Sequence, residues 1–342
     1  NRAGEPVCAS PCGRIARVNA LPGPLLPPAD ALLSLVVPVF NEQDAVLPFV
    51  ERVCAALAAV PRCRFEIVFV DDGSRDATRE RLGALVQGDR RIRALLLSRN
   101  FGKEAALSAG LDAARGDAVI PLDVDLQDPP ELIEQMVARW REGFPVVLAR
   151  RGDRRSDGMM KRASANWFYR VHNRLADVPL PENVGDFRLL DRRVVNVLRT
   201  LPENRRFMKG IFAWAGFRIS VVEYVRPQRE SGASRFTPWK LWNLALEGIT
   251  SFSTAPLRVW TYVGSAIALL AIAYAVFIVT RVLWSGVDVP GYASLITVVL
   301  FLGGLQLIGL GVLGEYIGRT YLEAKRRPVY VIDEVYEQRE PP

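Results

Sequence analysis

The sequence predicts an α/β fold, a mostly parallel sheet covered on both faces, followed by two membrane-spanning helices. Three observations carry that expectation. Short apolar runs of strand length alternate with helix-period segments from Leu32 to Ala149. Acid and amide residues gather where three of those runs end. Beyond Arg258, two stretches are apolar for the roughly 20 residues that a bilayer core requires.

Composition narrows the function. The chain has 342 residues, half of them apolar, enough to bury a core in one large domain or two modest ones. Lys plus Arg exceed Asp plus Glu by 44 to 37, a formal net charge of +7. The excess crowds Arg150–Arg174 and Arg188–Arg235 with no zinc-ligand spacing or RNA-binding aromatic signature beside it, so nucleic acid is not an expected partner. Phosphorylated substrates and an anionic membrane face remain. Cys8, Cys12, Cys54 and Cys63 suggest neither a metal pair nor a disulfide framework, which fits a reducing compartment. His172 is the single histidine, and the aromatic run before it reads as helix packing rather than a catalytic base.

Residues 1–30 are rich in Pro, Gly and small side chains and read as a disordered extension without a signal-peptide core, so the next domain is expected in the cytoplasm. Leu32–Val39 is a buried strand, Asn41 and Glu42 its loop, and Val46–Val60 a helix. Phe65–Val70 is the next strand, followed directly by Asp71, Asp72, Gly73 and Ser74. Asp76–Val86 is then helical, with Ser74 or Asp76 available as the cap. Ile92–Leu97 is a third strand, Asn100–Lys103 a turn, Glu104–Ala114 a helix and Ala118–Leu122 a fourth strand. Parallel strands bring their carboxyl ends to one edge, so Asn41, Glu42, Asp71, Asp72, Asp123 and Asp125 converge on one crevice.

The fourth strand runs into Asp123-Val124-Asp125, with Gln127 beyond and Pro129 and Pro130 ending the run. The bare D-x-D tripeptide is common in solvated loops. At a strand end beside two other acidic strand ends, its hard oxygens suit Mg²⁺ or Mn²⁺ with bound phosphates. An Asp at this edge can accept from a base N–H or a ribose hydroxyl, and Lys103 can neutralise phosphate. Neither the G-x-G-x-x-G fingerprint nor a Walker A sequence is present, which argues against a nicotinamide enzyme or a P-loop ATPase.

The runs LVVPVFNE, IVFVDDGSRDAT and SRNFGKEAALSAGLDAARGDAVIPLDVDLQDPPE resemble the nucleotide-sugar half of inverting GT-A glycosyltransferases of family 2. Within that family the chain is most similar to the polyprenyl-phosphate branch, which includes dolichol-phosphate mannose synthases and bactoprenol (undecaprenyl-phosphate) glucosyltransferases. The resemblance continues through GDFRLL, RRFMKG, WKLWNLALEGITSFSTAPLR and LGEYIGRTYLEAKRRP. It implies nucleotide-sugar roles for Pro38, Glu42, Asp71, Asp72, Lys103 and Asp123. It implies a Mg²⁺ or Mn²⁺ set of Asp123, Asp125 and Gln127, and catalytic roles for Asp125 and Asp186. It selects Arg150, Arg162, Arg229 and Arg235 for the acceptor phosphate. The implied reaction is inverting transfer of a hexose from a nucleotide sugar, UDP-glucose first and GDP-mannose or a UDP-amino sugar as alternatives, to undecaprenyl phosphate. The partners so implied are the nucleotide sugar, the polyprenyl phosphate lipid and the membrane.

The expected domains are a glycosyltransferase domain over 31–235, an interfacial amphipathic region over 236–257, two membrane helices over 258–318 and a cytoplasmic tail over 319–342. Phe144–Ala149 is a strand and Met159–Leu175 a helix. Pro238–Thr254, with Trp239 and Trp242, reads as a helix lying in the membrane interface. Val259–Thr280 and Ala293–Leu313 are the spans, with Trp260, Tyr262, Trp284, Tyr292 and Tyr316 at the interfaces. Arg258 precedes them and Arg319, Lys325, Arg326 and Arg327 follow, so both ends face the cytoplasm of an inner (plasma) membrane. Glycines at 303, 304, 309, 311, 314 and 318 let helices approach within the chain or between subunits, and a homo-oligomer is expected. Pro328–Val335 reads as a strand pairing with another subunit's edge. Two rivals are a processive synthase, which needs more helices and a Q-x-x-R-W motif, and a non-catalytic flippase or channel subunit, which intact acids at three strand ends oppose.

Overall fold

The computed structural model describes residues 26–152, 184–201, 203, 211–212, 214–224, 255–285 and 291–338. The expected helix Met159–Leu175, His172, the interfacial segment Pro238–Thr254 and the first 25 residues lie outside that set.

The amino-terminal half alternates as its apolar runs dictate: β1 (Ala31–Val39), α1 (Val46–Ala58), β2 (Cys63–Asp71), α2 (Thr78–Gly88), β3 (Ile92–Leu97), α3 (Lys103–Ala113), β4 (Ala118–Pro121) and α4 (Ile133–Arg141). β5 (Val146–Arg151), β6 (Val184–Asp191), α5 (Arg192–Thr200) and β7 (Ile219–Tyr224) follow. These strands and a last one, β8 (Ile332–Tyr336), form one sheet in the order β7-β5-β6-β4-β1-β2-β3-β8. β4, β1, β2 and β3 run parallel, and β6 and β8 are antiparallel to their neighbours.

Strands buried on both faces read as continuous apolar runs, and β1 does so because alternate residues enter different cores. Leu33, Leu35 and Val37 join Phe49, Phe69 and Trp140 on one face, whereas Val36 packs with Leu107, Leu111 and Val119 on the other. A polar staple holds the edge opposite the strands' carboxyl ends. Glu66 accepts from Ser34 Oγ at 2.5 Å, the Arg115 backbone N–H at 2.7 Å and Arg93 Nη2 at 2.8 Å, and both Glu66 and Arg93 are buried.

After β1 the chain moves through β2 to β3 on one side, and α3 then returns it to β4 on the other side of β1. The strand order therefore reverses between β1 and β4. Ligands of open α/β sheets bind in the crevice that such a reversal leaves at the strands' carboxyl ends.

Two long helices follow, α6 (Ala255–Ser285) and α7 (Tyr292–Ala324). Val259–Arg281 and Ser294–Ala324 have a mean hydropathy of 2.3, with Leu269, Leu270, Phe277 and Phe301 exposed, so these are candidate membrane spans. Trp260 packs on α7, where a Cβ on Gly309 would fall 2.0 Å from its Nε1. The other glycines of α7 face open space.

Two expectations change. ENVGDFRLL, to which no element was assigned, supplies β6 and inserts between β4 and β5. The tail strand pairs with β3 of its own chain, Ile332 opposite Leu97 and Tyr336 opposite Ala94. Strand propensity gives no preference between equivalent edges, and Tyr330, Arg115 and Arg90 supply the contacts that choose this one.

Candidate active site

The crevice at the β1/β4 reversal is a cleft of about 330 Å³ lined by Pro38, Phe40, Glu42, Asp72, Asn100, Gly102, Lys103, Asp123 and Asp125. Four loops, one after each of β1 to β4, build it, and side chains acting on backbone lace the first three together. After β1, Asn41 turns with φ 55°, a left-handed conformation that Asn tolerates. Its N–H donates to Ser74 Oγ at 2.9 Å and its Oδ1 accepts from the Arg75 N–H at 2.8 Å. Glu42 N–H donates to Thr78 Oγ1 at 3.0 Å. Asp76 accepts from the Thr78 N–H at 3.1 Å just before α2, but the N-cap position is Ala77, so neither Ser74 nor Asp76 is the cap.

The two acids after β2 do different work. Asp71 is fully buried, accepting from the Ser74 N–H at 3.1 Å and from Arg79 Nε at 3.0 Å, and it does not line the cleft. Asp72 reaches the cleft and accepts from the N–H groups of Phe101 and Gly102 at 2.7 and 2.9 Å, which fixes the turn into α3. Gly73, at φ 73°, lies where a Cβ would meet the Arg99 backbone at 2.5 Å. Only glycine fits this turn.

Lys103 opens α3, and its Nζ is 2.8 Å from both Asp123 and Asp186. Burial opposes its charge, but the two carboxylates outweigh that and raise its pKa above the ordinary lysine value. Asp186 is carried by β6 and backed by Arg188, whose Nη2 donates to Gly185 O at 2.6 Å while the guanidinium lies 4.1 Å from the Phe212 ring centre. Burial pulls Arg188 down to about 10, which leaves it charged. Asp125 stands exposed, its Oδ1 accepting from the Gln127 N–H at 3.1 Å across Leu126, which holds φ 53°. Asp128, buried, accepts from Tyr224 Oη and ties this loop to the end of β7.

Charge sets what the cleft can hold. Glu42, Asp72, Asp123 and Asp125 line it against Lys103, which Asp123 and Asp186 already engage. Burial, then Asp125, Asp76 and Asp123, raises the Glu42 pKa, and burial does the same to Asp72 despite its two backbone donors. A diphosphate enters such a cleft only with added positive charge. The oxygen-only donors Asp123 and Asp125 fit a hard divalent cation for that purpose. Among the described residues no three His, Cys, Asp or Glu side chains converge as a preformed metal cluster.

The structure thus gathers Pro38, Glu42, Asp72, Lys103, Asp123, Asp125 and, through Lys103, Asp186. Gln127 meets Asp125 through its backbone and does not line the cleft. Arg150 also stays away from it, pairing with Glu223 across β5 and β7. Arg162, Arg229 and Arg235 lie outside the described residues. Sequence reasoning gave no role to Arg79, Asp128, Arg188 or Tyr224. Their partners are set by the fold, as with Asp128 and Tyr224, so no local spacing announced them.

Residues 34–199 match Glycosyl transferase family 2, and residues 255–320 match the GtrB C-terminal hairpin. The chain belongs to the family 2 glycosyltransferases and is an enzyme of that class, with the mostly parallel sheet typical of GT-A folds. It is 52% identical over 303 residues to the prophage bactoprenol glucosyl transferase homolog of Escherichia coli K12, covering 89% of this chain and 99% of that one. To the bactoprenol glucosyl transferase of Shigella phage SfV it is 54% identical over 300 residues, 88% of this chain and 97% of the other. A crystal structure of Mycobacterium tuberculosis glucosyl-3-phosphoglycerate synthase with Mn²⁺, UDP and glucosyl-3-phosphoglycerate superposes with a TM-score of 0.44 at 24% identity, over 65% of this chain and 78% of that one.

Proposed function

We propose that the enzyme transfers glucose from UDP-glucose to a polyprenyl phosphate, undecaprenyl phosphate in the first instance, at the cytoplasmic membrane face and with inversion. One observation carries the reading: acids from three strand ends and a lysine from a fourth meet in a cleft at the sheet's switch point, in a chain more than half identical to bactoprenol glucosyl transferases.

An oxygen of the acceptor phosphate attacks the anomeric carbon while the bond from that carbon to the nucleotide's β-phosphate oxygen breaks. The acceptor is anionic near neutral pH, so the site needs fixed cations more than a general base. Pro38, Glu42 and Asp72 shape the nucleotide end, and Asp71 positions them from beneath through Ser74 and Arg79. Lys103, at the amino terminus of α3, neutralises donor phosphate, with the helix dipole adding to it. Asp123 and Asp125 would hold Mg²⁺ or Mn²⁺, and Gln127, which does not line the cleft in this structure, would complete the set only by turning its side chain inward. Such an ion supplies neutralisation of the charge that builds on the departing diphosphate. Asp186 aims Lys103 and orients a sugar hydroxyl or the acceptor.

Arg150, Arg162, Arg229 and Arg235 form the acceptor-phosphate set. The Arg150–Glu223 pair is about half exposed on each side, and such pairs are worth under about 1 kcal/mol, so an incoming phosphate can recruit Arg150. α6 and α7 anchor the enzyme with both ends cytoplasmic, Lys325, Arg326 and Arg327 lying at the headgroup level after α7. The interfacial segment 236–257 rests on the membrane, and the open glycines of α7 receive a second copy. Asp125→Ala is expected to lower transfer by about a thousand-fold while membrane insertion and thermal unfolding are unchanged. Retained turnover in vesicles would contradict the Asp125 assignment.

A further inference from the structure

Among the described residues β8 is the one strand that follows the two long helices in the chain, and it joins the sheet antiparallel to β3. Because it is antiparallel to β3, it enters at β3's carboxyl end, Ile332 beside Leu97, which is the edge that bears the cleft. Ser98, which opens the β3–α3 loop, donates its N–H to Val331 O at 3.0 Å. That loop continues into Asn100, Gly102 and Lys103, the cleft wall.

Docking begins one residue before that contact. Tyr330 packs against the core of Val68, Val70, Leu97 and Ala106, and its hydroxyl donates to Asp112 Oδ2 at 2.8 Å on α3. Past β8, Glu337 pairs with Arg115 at 2.5 Å and Gln338 caps the carbonyls of Val86 and Gln87 at 2.8 and 2.6 Å. Asp333 lies 3.9 Å from Arg79, the residue that holds Asp71. Between the end of α7 at Ala324 and Tyr330 only residues 325–329 intervene, a reach of at most about 20 Å even fully extended.

We infer that β8 and its anchor Tyr330 are an orienting strap: they turn the cleft edge of the sheet toward the bilayer and so favour an acceptor phosphate presented by a lipid over one free in water. This rests on the proposed reaction and on α6 and α7 crossing a membrane. The two other ways of placing the tail lack this effect. A strand parallel to β3 would enter at the opposite edge, and an undocked tail would leave the domain tethered through its connection to α6 alone. Tyr330 is a positioning residue, since it does not line the cleft.

The test uses the full chain in phosphatidylethanolamine–phosphatidylglycerol vesicles. A Gly/Ser insertion of about twenty residues between Arg327 and Pro328 leaves β8 free to dock but adds about 25 Å of flexible reach. Transfer is measured to undecaprenyl phosphate in the vesicles and to a water-soluble two-isoprene phosphate. The strap predicts that the insertion raises KM for the vesicle lipid about ten-fold through lost effective concentration, with kcat and the soluble-acceptor kinetics unchanged. Tyr330→Ala, which loosens docking without lengthening the chain, is expected to act in the same direction. An unchanged KM for the vesicle lipid overturns the proposal, and so does an equal loss on both acceptors, which would make β8 a support of the fold. Failure of the unmodified chain on both acceptors would instead remove the reaction on which the strap rests.

Discussion

Glu42 shows how a single side chain carries the conflict between folding and function. Its carboxylate is partly buried among Asp125, Asp76 and Asp123, which raises its pKa above the ordinary 4.5. The folded chain then binds that proton more tightly than the unfolded one, so the ionised group opposes folding at high pH, and the penalty fades as pH falls through the raised folded value and is gone below 4.5. Glu42→Gln is accordingly expected to raise the thermal midpoint of the free enzyme at pH 7–8, with the gain vanishing toward pH 4, while nucleotide-sugar affinity falls. Calorimetry across pH measures the first and titration with UDP-glucose the second. At this scale the sequence was legible where the chemistry is local. Asp123, Asp125 and Lys103 stood out as polar groups at the ends of apolar runs. Asp71 was legible as a motif residue but not as a buried one, because its partners Arg79 and Ser74 act from inside the loop. Arg188 looked like one more surface cation until β6 buried it over Phe212.

Among the elements, the strands that mattered most were those whose polar residues disguised them. β1 to β4 were evident because burial on both faces demands unbroken apolar runs. β6 was not, since GDFRLL mixes charge with apolar residues and its place in the sheet depends on β4 and β5. Fidelity of the β1–β2–β3 register is supported at the edge opposite the cleft by the buried Glu66–Arg93 pair. Arg93→Met removes one partner and leaves a buried carboxylate, which costs about 3–5 kcal/mol. Thermal unfolding of the purified enzyme in detergent should show that loss. A residual folded fraction should keep an unaltered KM for the donor, because the staple lies away from Glu42 and Asp125. A normal midpoint would mean that Glu66 finds other donors.

In the proposed reaction the whole molecule joins a soluble donor to an acceptor confined to lipid, and its parts divide that task. The cleft lies at the switch point of the sheet, the two apolar helices are candidate membrane spans, and β8 returns from them to the cleft edge. Hydropathy made the helices readable in advance, whereas the return of β8 to its own sheet was hidden because strand propensity names no partner. The central claim is glucose transfer from UDP-glucose to a polyprenyl phosphate. Its most direct test presents a panel of labelled nucleotide sugars with undecaprenyl phosphate to the vesicle-bound enzyme and scores label in the organic phase with and without EDTA. Lipid-linked label from UDP-glucose is expected, abolished by EDTA and restored by added Mg²⁺ or Mn²⁺. No lipid-linked label from any donor would contradict it.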